Sequence, residues 1–447
     1  MKRFITALVF TAFAFPFVTW GQDVVRRETG APPTRESGNT IETRNLSGQV
    51  EQPAFQGDEE LRKKVEEITS RLDAMDETVK ELGNDRDALK RIKISGYLQV
   101  NFEKSEKQTG LATDPYDTRD YIKGRFRLRR SRIKVQYDGK TTTMVVQGDY
   151  SNAGVTLKDA YLEFAEPWLN VFSLRFGVFN RPVFEVETSS SVRESPERSR
   201  VIQTLYPGER DLGAMLTVTP MEGLNLQLAA FNNTFKGTFS QQSPNFGREP
   251  LYMMGRLTKS FAFGDLGVDL GVHGRIGNVR ANTYRVLESD RPTNAAPDSV
   301  SVRVGDAIPR NWFGVEAQLY YDFLGGMKLI GEYIIGSDVD ELSSSGNVIR
   351  KRHFAGFYAM LVKNIGTDFQ IALKYDSYNP NATIGEDVIN DPNELRVDTF
   401  GVGLLNYTFP NVRLTLWYDV VSTKTNERIL TEDPKDNLLT FRAQYKF

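Results

Sequence analysis

The chain has 447 residues, with 56 Lys plus Arg against 58 Asp plus Glu, no cysteine and two histidines. That balance lacks the basic excess of a nucleic-acid binder, and without cysteine there is no thiol catalysis, Fe–S cluster or Cys-based zinc site. His273 and His353 read as strand-end or loop residues, too few for a His-rich metal site, so neither a cofactor, a metal nor an enzyme is expected.

Met1-Lys2-Arg3 is a cationic start, followed by an apolar run from Phe4 to Trp20 with small residues Thr19 and Gly21 at its end. This is the layout of a secretory signal peptide over residues 1–21. The alternative, a membrane-spanning helix, is disfavoured by the run's shortness, by Pro16 and by the lack of a stop-transfer charge cluster. With no Cys at the cleavage point, no lipoprotein anchor is expected. No later segment approaches the roughly 18–20 apolar residues of a membrane helix. A membrane location for the mature chain therefore requires a closed barrel, the other way to satisfy every backbone group in lipid.

Residues 22–58 are polar and rich in Pro, Gly, Thr and Asn, and read as a flexible linker. Over 59–91, Leu61, Val65, Ile68, Leu72, Met75, Val79, Leu82 and Leu89 recur in alternating steps of four and three, with charges between them. So narrow an apolar seam predicts a periplasmic coiled coil. A solitary amphipathic helix is the alternative, and the number of helices in the coil is open.

From Ile92 the period becomes two and stays so to Phe447. Leu224, Leu226 and Leu228 alternate with Asn225 and Gln227; Phe369, Ile371, Leu373 and Tyr375 alternate with Gln370, Lys374 and Asp376; Phe441, Ala443, Tyr445 and Phe447 alternate with Arg442, Gln444 and Lys446. The runs are about ten residues long, enough for a tilted strand to cross a bilayer. Short turns, as at Pro220 to Gly223 and Pro410-Asn411, alternate with long polar excursions, as at 105–123, 180–209 and 277–309. This predicts an all-β fold over 92–447, a transmembrane antiparallel barrel of about sixteen strands. A secreted β-sandwich would also alternate, but it rarely needs so many full-length runs. Phe102, Tyr150, Phe179, Tyr333, Tyr375, Tyr445 and Phe447 near strand ends suit an interfacial girdle.

Three stretches, FRLRRSRIKVQYDG (126–139), TLKDAYLEF (156–164) and LRFGVFNRPVFEVETSSS (174–191) leading to PGERDLGAM (207–215), together resemble the phosphate-selective porin O/P family. The closing TFRAQYKF resembles the barrel-insertion signal of outer-membrane proteins, with Phe441, Tyr445 and Phe447 as its aromatic positions and the barrel-assembly machinery as the implied partner. The resemblance covers roughly 92–447. It implies a sixteen-stranded homotrimeric porin in the outer-membrane lipid of a Gram-negative bacterium, with the third loop, here 180–209, folded into the pore and a basic lining that favours small anions.

The candidate anion path follows from charge and alternation. Arg125, Arg127 and Arg129 share a face if Phe126 and Leu128 face lipid; the apolar phase then moves to Ile133 and Val135, so Arg130 or Arg132 is expected at a bulge. A basic residue on the lipid face would cost about 2–4 kcal/mol near the midplane, so these should face the lumen. There they either select ions or neutralise acids such as Asp149, Asp159 and Glu163. Lys158 and Arg175 are lumen candidates, and loop 180–209 with its flank adds Arg181, Arg193, Arg198, Arg200 and Arg210. The same segment carries Glu185, Glu187, Glu194, Glu197 and Glu209, so its balance is not basic, and a transverse field, acids on one wall and bases on the other, is the alternative. The cluster Asp338, Asp340, Glu341 reads as a solvated loop. Passive diffusion with an anion preference, phosphate or similar, is the leading reading; a non-selective porin and an envelope-tethering or adhesion protein using the stalk are the alternatives.

Overall fold

The structure is a computed structural model that describes residues 57–106, 124–151, 154–232, 250–280, 285–288, 299–302, 307–322, 325–340, 348–383, 395–425, 432–433 and 436–447. The signal peptide and almost all of the linker lie outside these residues, as do Glu341 and the side chains of Asp338 and Asp340. The chain forms two compact units that divide after Asp87.

The first holds all but the last three residues of helix α1 (Gly57–Lys90), which is 34 residues long. Its unbranched charged residues are good helix formers, and Lys90 in the last turn complements the helix dipole. On a single chain Val65, Ile68, Leu72, Met75 and Leu89 are all more exposed than covered, from 56% to 67%. The side chains of Leu61, Val79 and Leu82 fall outside the description. No described helix is long and apolar enough to cross a membrane.

The second unit is a closed antiparallel barrel of 16 strands. They are β1 (Ile92–Ser105), β2 (Arg125–Asp138), β3 (Thr142–Ser151), β4 (Gly154–Ala165), β5 (Phe172–Asn180), β6 (Arg210–Met221), β7 (Leu224–Phe231) and β8 (Tyr252–Phe263). The ring continues through β9 (Leu266–Ile276), β10 (Asn311–Tyr321), β11 (Met327–Asp340), β12 (Val348–Ile365), β13 (Phe369–Asn379), β14 (Val397–Asn406), β15 (Val412–Thr423) and β16 (Leu438–Lys446). Each strand pairs with its neighbour in sequence, and β1 pairs with β16 from Tyr97↔Lys446 to Ser105↔Leu438, which leaves no free edge. Residues 285–288 and 299–302 form a short hairpin attached to β12, and 278–280 pairs with 307–309.

Alternation decides which side each residue faces. On β1 the polar Gln99, Asn101 and Glu103 are buried inside, while Ile94 and Leu98 are exposed outside. On β16 Thr440, Arg442 and Gln444 point in, and Phe441 and Tyr445 point out. A soluble sandwich would bury its apolar set; here Ile94, Phe126, Phe176, Leu270, Phe313 and Phe400 stay on the outer surface, as a lipid-facing wall requires. Short turns gather at the end that holds Arg91 and Phe447. In one of them Gly223 takes φ 71, a left-handed conformation that glycine adopts without strain. Closure is sealed by Gly96 and Phe447, whose backbones exchange two hydrogen bonds of 3.0 Å.

Of the aromatics assigned to a girdle, Tyr150, Tyr333, Tyr375, Tyr445 and Phe447 are exposed on the outer surface, but Phe179 is 1% exposed and faces inward. It lies an even number of residues from inward-facing Arg175, so alternation sends it to the inside. The two histidines lie within strands, His273 in β9 and His353 in β12, and not in loops.

Candidate functional site

The segment Arg181–Glu209 joins β5 to β6 and contains two short helices, α2 (Phe184–Glu187) and α3 (Arg200–Leu205). Its apolar residues explain its path. Val183, Val186, Val201, Ile202, Leu205 and Tyr206 pack with inward-facing Phe179, Phe231, Tyr252, Trp312, Ile334 and Phe354. Full burial contributes about 1.5–3 kcal/mol for each Val, Leu or Ile, so this stretch has a strong reason to stay against the wall from β5 to β13. The Trp312 indole N–H donates to the Tyr206 hydroxyl at 2.5 Å.

Across the bore, the middle of the segment is held by polar groups of β1, β15 and β16. The Tyr97 hydroxyl meets Ser190 Oγ at 2.6 Å, and Gln99 donates to the Ser190 carbonyl at 2.9 Å. Gln444 donates to the Ser191 carbonyl at 3.0 Å, Arg413 to that of Val192 at 3.2 Å, and Arg442 to that of Pro196 at 2.8 Å. The loop thus spans the interior between opposite arcs of the wall.

The basic run of β2 acquires its geometry from a β-bulge. Gln99 pairs with Arg130 and Val100 with Leu128, so Arg129 is the extra residue. The bulge falls on Arg129, not on Arg130 or Arg132, and it turns two consecutive arginines toward the loop. Arg129 donates two hydrogen bonds to Glu197, at 2.7 and 2.6 Å; Arg130 reaches the same carboxylate at 3.4 Å and Arg442 at 3.2 Å. Burial would raise the Glu197 carboxyl, but Arg129 and Arg130 outweigh it and hold it well below the usual carboxylate range. Arg193 is 2% exposed and bonds the carbonyls of Ser195 and Pro196. Like-charged Arg129, Arg193 and Arg413 all act on Arg442. Three guanidinium groups therefore converge on one carboxylate, and Arg193 and Arg413 act on one of the three, Arg442.

The remaining arginines pair more evenly. Arg125 and Arg127 share Glu103, at 2.8 and 2.6 Å. Arg132 meets Asp149 at 2.9 Å, Arg175 meets Glu163 at 2.8 Å, Arg181 meets Asp211 at 3.1 Å and Arg210 meets Asp159 at 2.8 Å. Arg198 pairs with Glu209 and ties the carbonyls of Glu185 and Val186. A second bulge, in β4, makes Lys158 the extra residue, because Gln147 pairs with Asp159 and Gly148 with Leu157. Lys158 lies among Arg132, Glu209, Arg210 and Asp149, and has no ion pair within 4.0 Å among the described residues.

Sequence reading missed Arg413 and Arg442. Both sit at inward positions by simple alternation, Arg442 between Phe441 and Ala443, and that signal was available.

The opposite arc carries acids. Glu316 of β10 and Glu332 of β11 are buried beside His273 of β9, and Arg256 of β8 bridges Glu316 and loop residue Glu187 at 2.6 and 2.5 Å. On the side of β1, β2 and β13 to β16, a cavity open to solvent, with ≈ 790 Å³ of empty space, is lined by Arg127, Arg198, Arg200 and Lys374 and by Glu103, Glu197, Asp376 and Asp419, among others. A small hydrated solute thus meets both signs of charge at the level of the loop.

These features define the class: a closed sixteen-stranded barrel with an apolar outer wall and a long connection packed across its interior. Among solved structures the chain is similar to the outer membrane channel DcaP of Acinetobacter baumannii, at 14% identity and TM-score 0.54, over 80% of this chain and 97% of that one. It is also similar to OprB of Pseudomonas putida, at 8% identity and TM-score 0.52, over 82% and 96%. At such identities the likeness is one of fold. No family model and no curated protein matches the chain.

Proposed function

We propose that the chain is an outer-membrane diffusion channel for small hydrophilic solutes that favours anions, phosphate among them. The observation that carries this reading is the convergence of Arg129, Arg130 and Arg442 on the single carboxylate of Glu197, with Arg193 and Arg413 acting on Arg442. Uncompensated positive charge in a narrow low-dielectric throat lowers the energy of an anion that has shed part of its hydration, and raises that of a cation. The fold likeness to an outer membrane channel supports the diffusion role. The mature chain would reside in the outer membrane of a Gram-negative bacterium after loss of residues 1–21, inserted through a final strand ending in Phe441, Tyr445 and Phe447.

The exposed seam of α1 supports a homotrimer whose three periplasmic helices wind together, with 22–58 as a tether. A second reading, a general porin without marked preference, draws on the mixed lining of the cavity, where Glu103, Asp376 and Asp419 face Arg127, Arg200 and Lys374. Reversal potentials of the full-length protein in a potassium chloride gradient separate the two. Chloride-dominated current inhibited by added phosphate is the expected result; cation-dominated current leaves the general porin.

A further inference from the structure

His273, Glu316 and Glu332 stand side by side on β9, β10 and β11, where Glu316 pairs with Glu332 and His273 with Gly314. All three are buried, and one ligand-type atom from each lies within 4.8 Å of the other two. The side chains of His273 and Glu332 are 0% exposed, with Nε2 3.2 Å from Oε1. Yet neither of these atoms, nor His273 Nδ1, makes a hydrogen bond among the described residues. A buried polar atom left without a partner is costly, and such atoms in a native structure call for an unseen ion or water.

The surrounding wall is shaped to seat these side chains. Gly314 faces His273, and a Cβ there would collide with the imidazole Nε2; Gly271 faces Glu316, and a Cβ there would stand 2.6 Å from its Cγ. The charge balance points to a cation. Glu187, Glu316 and Glu332 all act on one guanidinium, that of Arg256, so the acids beside it outnumber it three to one. Neighbouring Lys374 and Glu185, 3.6 Å apart, cancel each other.

We propose that His273, Glu316 and Glu332 form a binding site for a divalent cation of the zinc class in the barrel wall beneath the loop. Imidazole nitrogen and carboxylate oxygen are both zinc ligands, and three of them leave the fourth tetrahedral position to water. Zinc bonds of about 2.0–2.1 Å set neighbouring donors roughly 3.3 Å apart around a tetrahedron, close to the 3.2 Å between His273 Nε2 and Glu332 Oε1, with a Glu316 oxygen within 4.8 Å of the other two donors. An imidazole ligand disfavours calcium and magnesium, which select oxygen. Both carboxylates are already oriented: Glu332 Oε2 accepts from the Tyr358 hydroxyl at 3.0 Å and from the Glu185 backbone N–H at 3.3 Å, and Glu316 accepts twice from Arg256. Lone pairs remain on each for a metal. Through Glu185 and Glu187 the site is coupled to the seat of α2, so an ion there fastens the loop to the wall.

The test uses the full-length protein in detergent, stripped with a chelator, dialysed against zinc chloride and assayed for retained metal. The expected result is an equimolar amount of zinc per chain that calcium does not displace. His273→Gln and Glu332→Gln should weaken zinc binding by about 100-fold or more while the barrel still runs as a folded species. Absence of retained zinc, or undiminished affinity in folded His273→Gln, overturns the proposal; the former would mean that a protonated His273 simply pairs with Glu332. Should the variants fail to fold, cobalt substitution of the unmodified protein decides. A strong tetrahedral-type visible band bleached by zinc supports the site, and a weak band or none refutes it.

Discussion

Arg129 grips Glu197 with two parallel hydrogen bonds, Nε to Oε1 at 2.7 Å and a terminal nitrogen to Oε2 at 2.6 Å. The pair ties the extra residue of a bulge in β2 to the inner loop. This fork-to-carboxylate geometry belongs to arginine and not to lysine. Because Arg130 and Arg442 reach the same group, one carboxylate sets the charge of the whole basic arc.

Glu197→Gln removes one negative charge without changing the size of the side chain. At about 10 Å and a water-like dielectric, a unit charge is worth about 0.4 kcal/mol on a monovalent ion. Acting with opposite sign on cation and anion, it should raise the chloride-to-potassium permeability ratio about fourfold. Reversal potentials in a potassium chloride gradient check this, and a ratio that falls would contradict the assigned direction.

Asp436 precedes β16 by two residues, is 2% exposed and has Oδ1 without a hydrogen-bond partner. Burial pushes its carboxyl up to about 6, only partly opposed by Arg200. The folded state therefore holds the proton more tightly than the unfolded one. Stability from this group is greatest below the ordinary value of 3.8, falls as pH rises toward 6 and levels off above it. Thermal melts in detergent from pH 4 to 7 should show that decline in the unmodified chain and a smaller one in Asp436→Asn. Equal declines would show that Asp436 does not titrate as described.

Gly96→Val attacks closure. A Cβ at this position would collide with the Arg132 carbonyl and stand 2.6 Å from the Phe447 ring. We expect a loss of the compact, heat-modifiable species on unboiled gels and a gain of unfolded chain. Undiminished barrel formation would mean that Phe447 is not held as described.

Deletion of 59–91 separates pore from stalk. Because α1 and the barrel are distinct compact units, the shortened protein should conduct with unchanged unit conductance, while the fraction recovered as a trimer falls. Loss of conductance would favour a tethering role over a porin.

Much of the barrel was legible in the sequence because a lipid-facing wall imposes a two-residue period on every strand, and the turns announce themselves by length. The same period placed Arg125, Arg127 and Arg175 inward, and it should have flagged Phe179, Arg413 and Arg442. What it could not supply was the identity of neighbours across the bore. Glu197 is one of several acids in an evenly charged loop, and only the folded path brings it to Arg129. The bulge at Arg129 was equally hidden, since a change of apolar phase between Leu128 and Ile133 fits several positions. His273 looked incidental because its partners, Glu316 and Glu332, lie 43 and 59 residues away in sequence and meet it only through strand register.

The claim on which the rest depends is that the arginine excess at the loop's far anchorage sets the sign of selectivity. The reversal potential of Arg413→Gln/Arg442→Gln, compared with the unmodified channel in one potassium chloride gradient, tests it most directly. The account predicts chloride-dominated current in the unmodified channel and a clear shift toward potassium in the folded double variant. An unshifted potential in a correctly folded variant, or potassium-dominated current from the start, would contradict it.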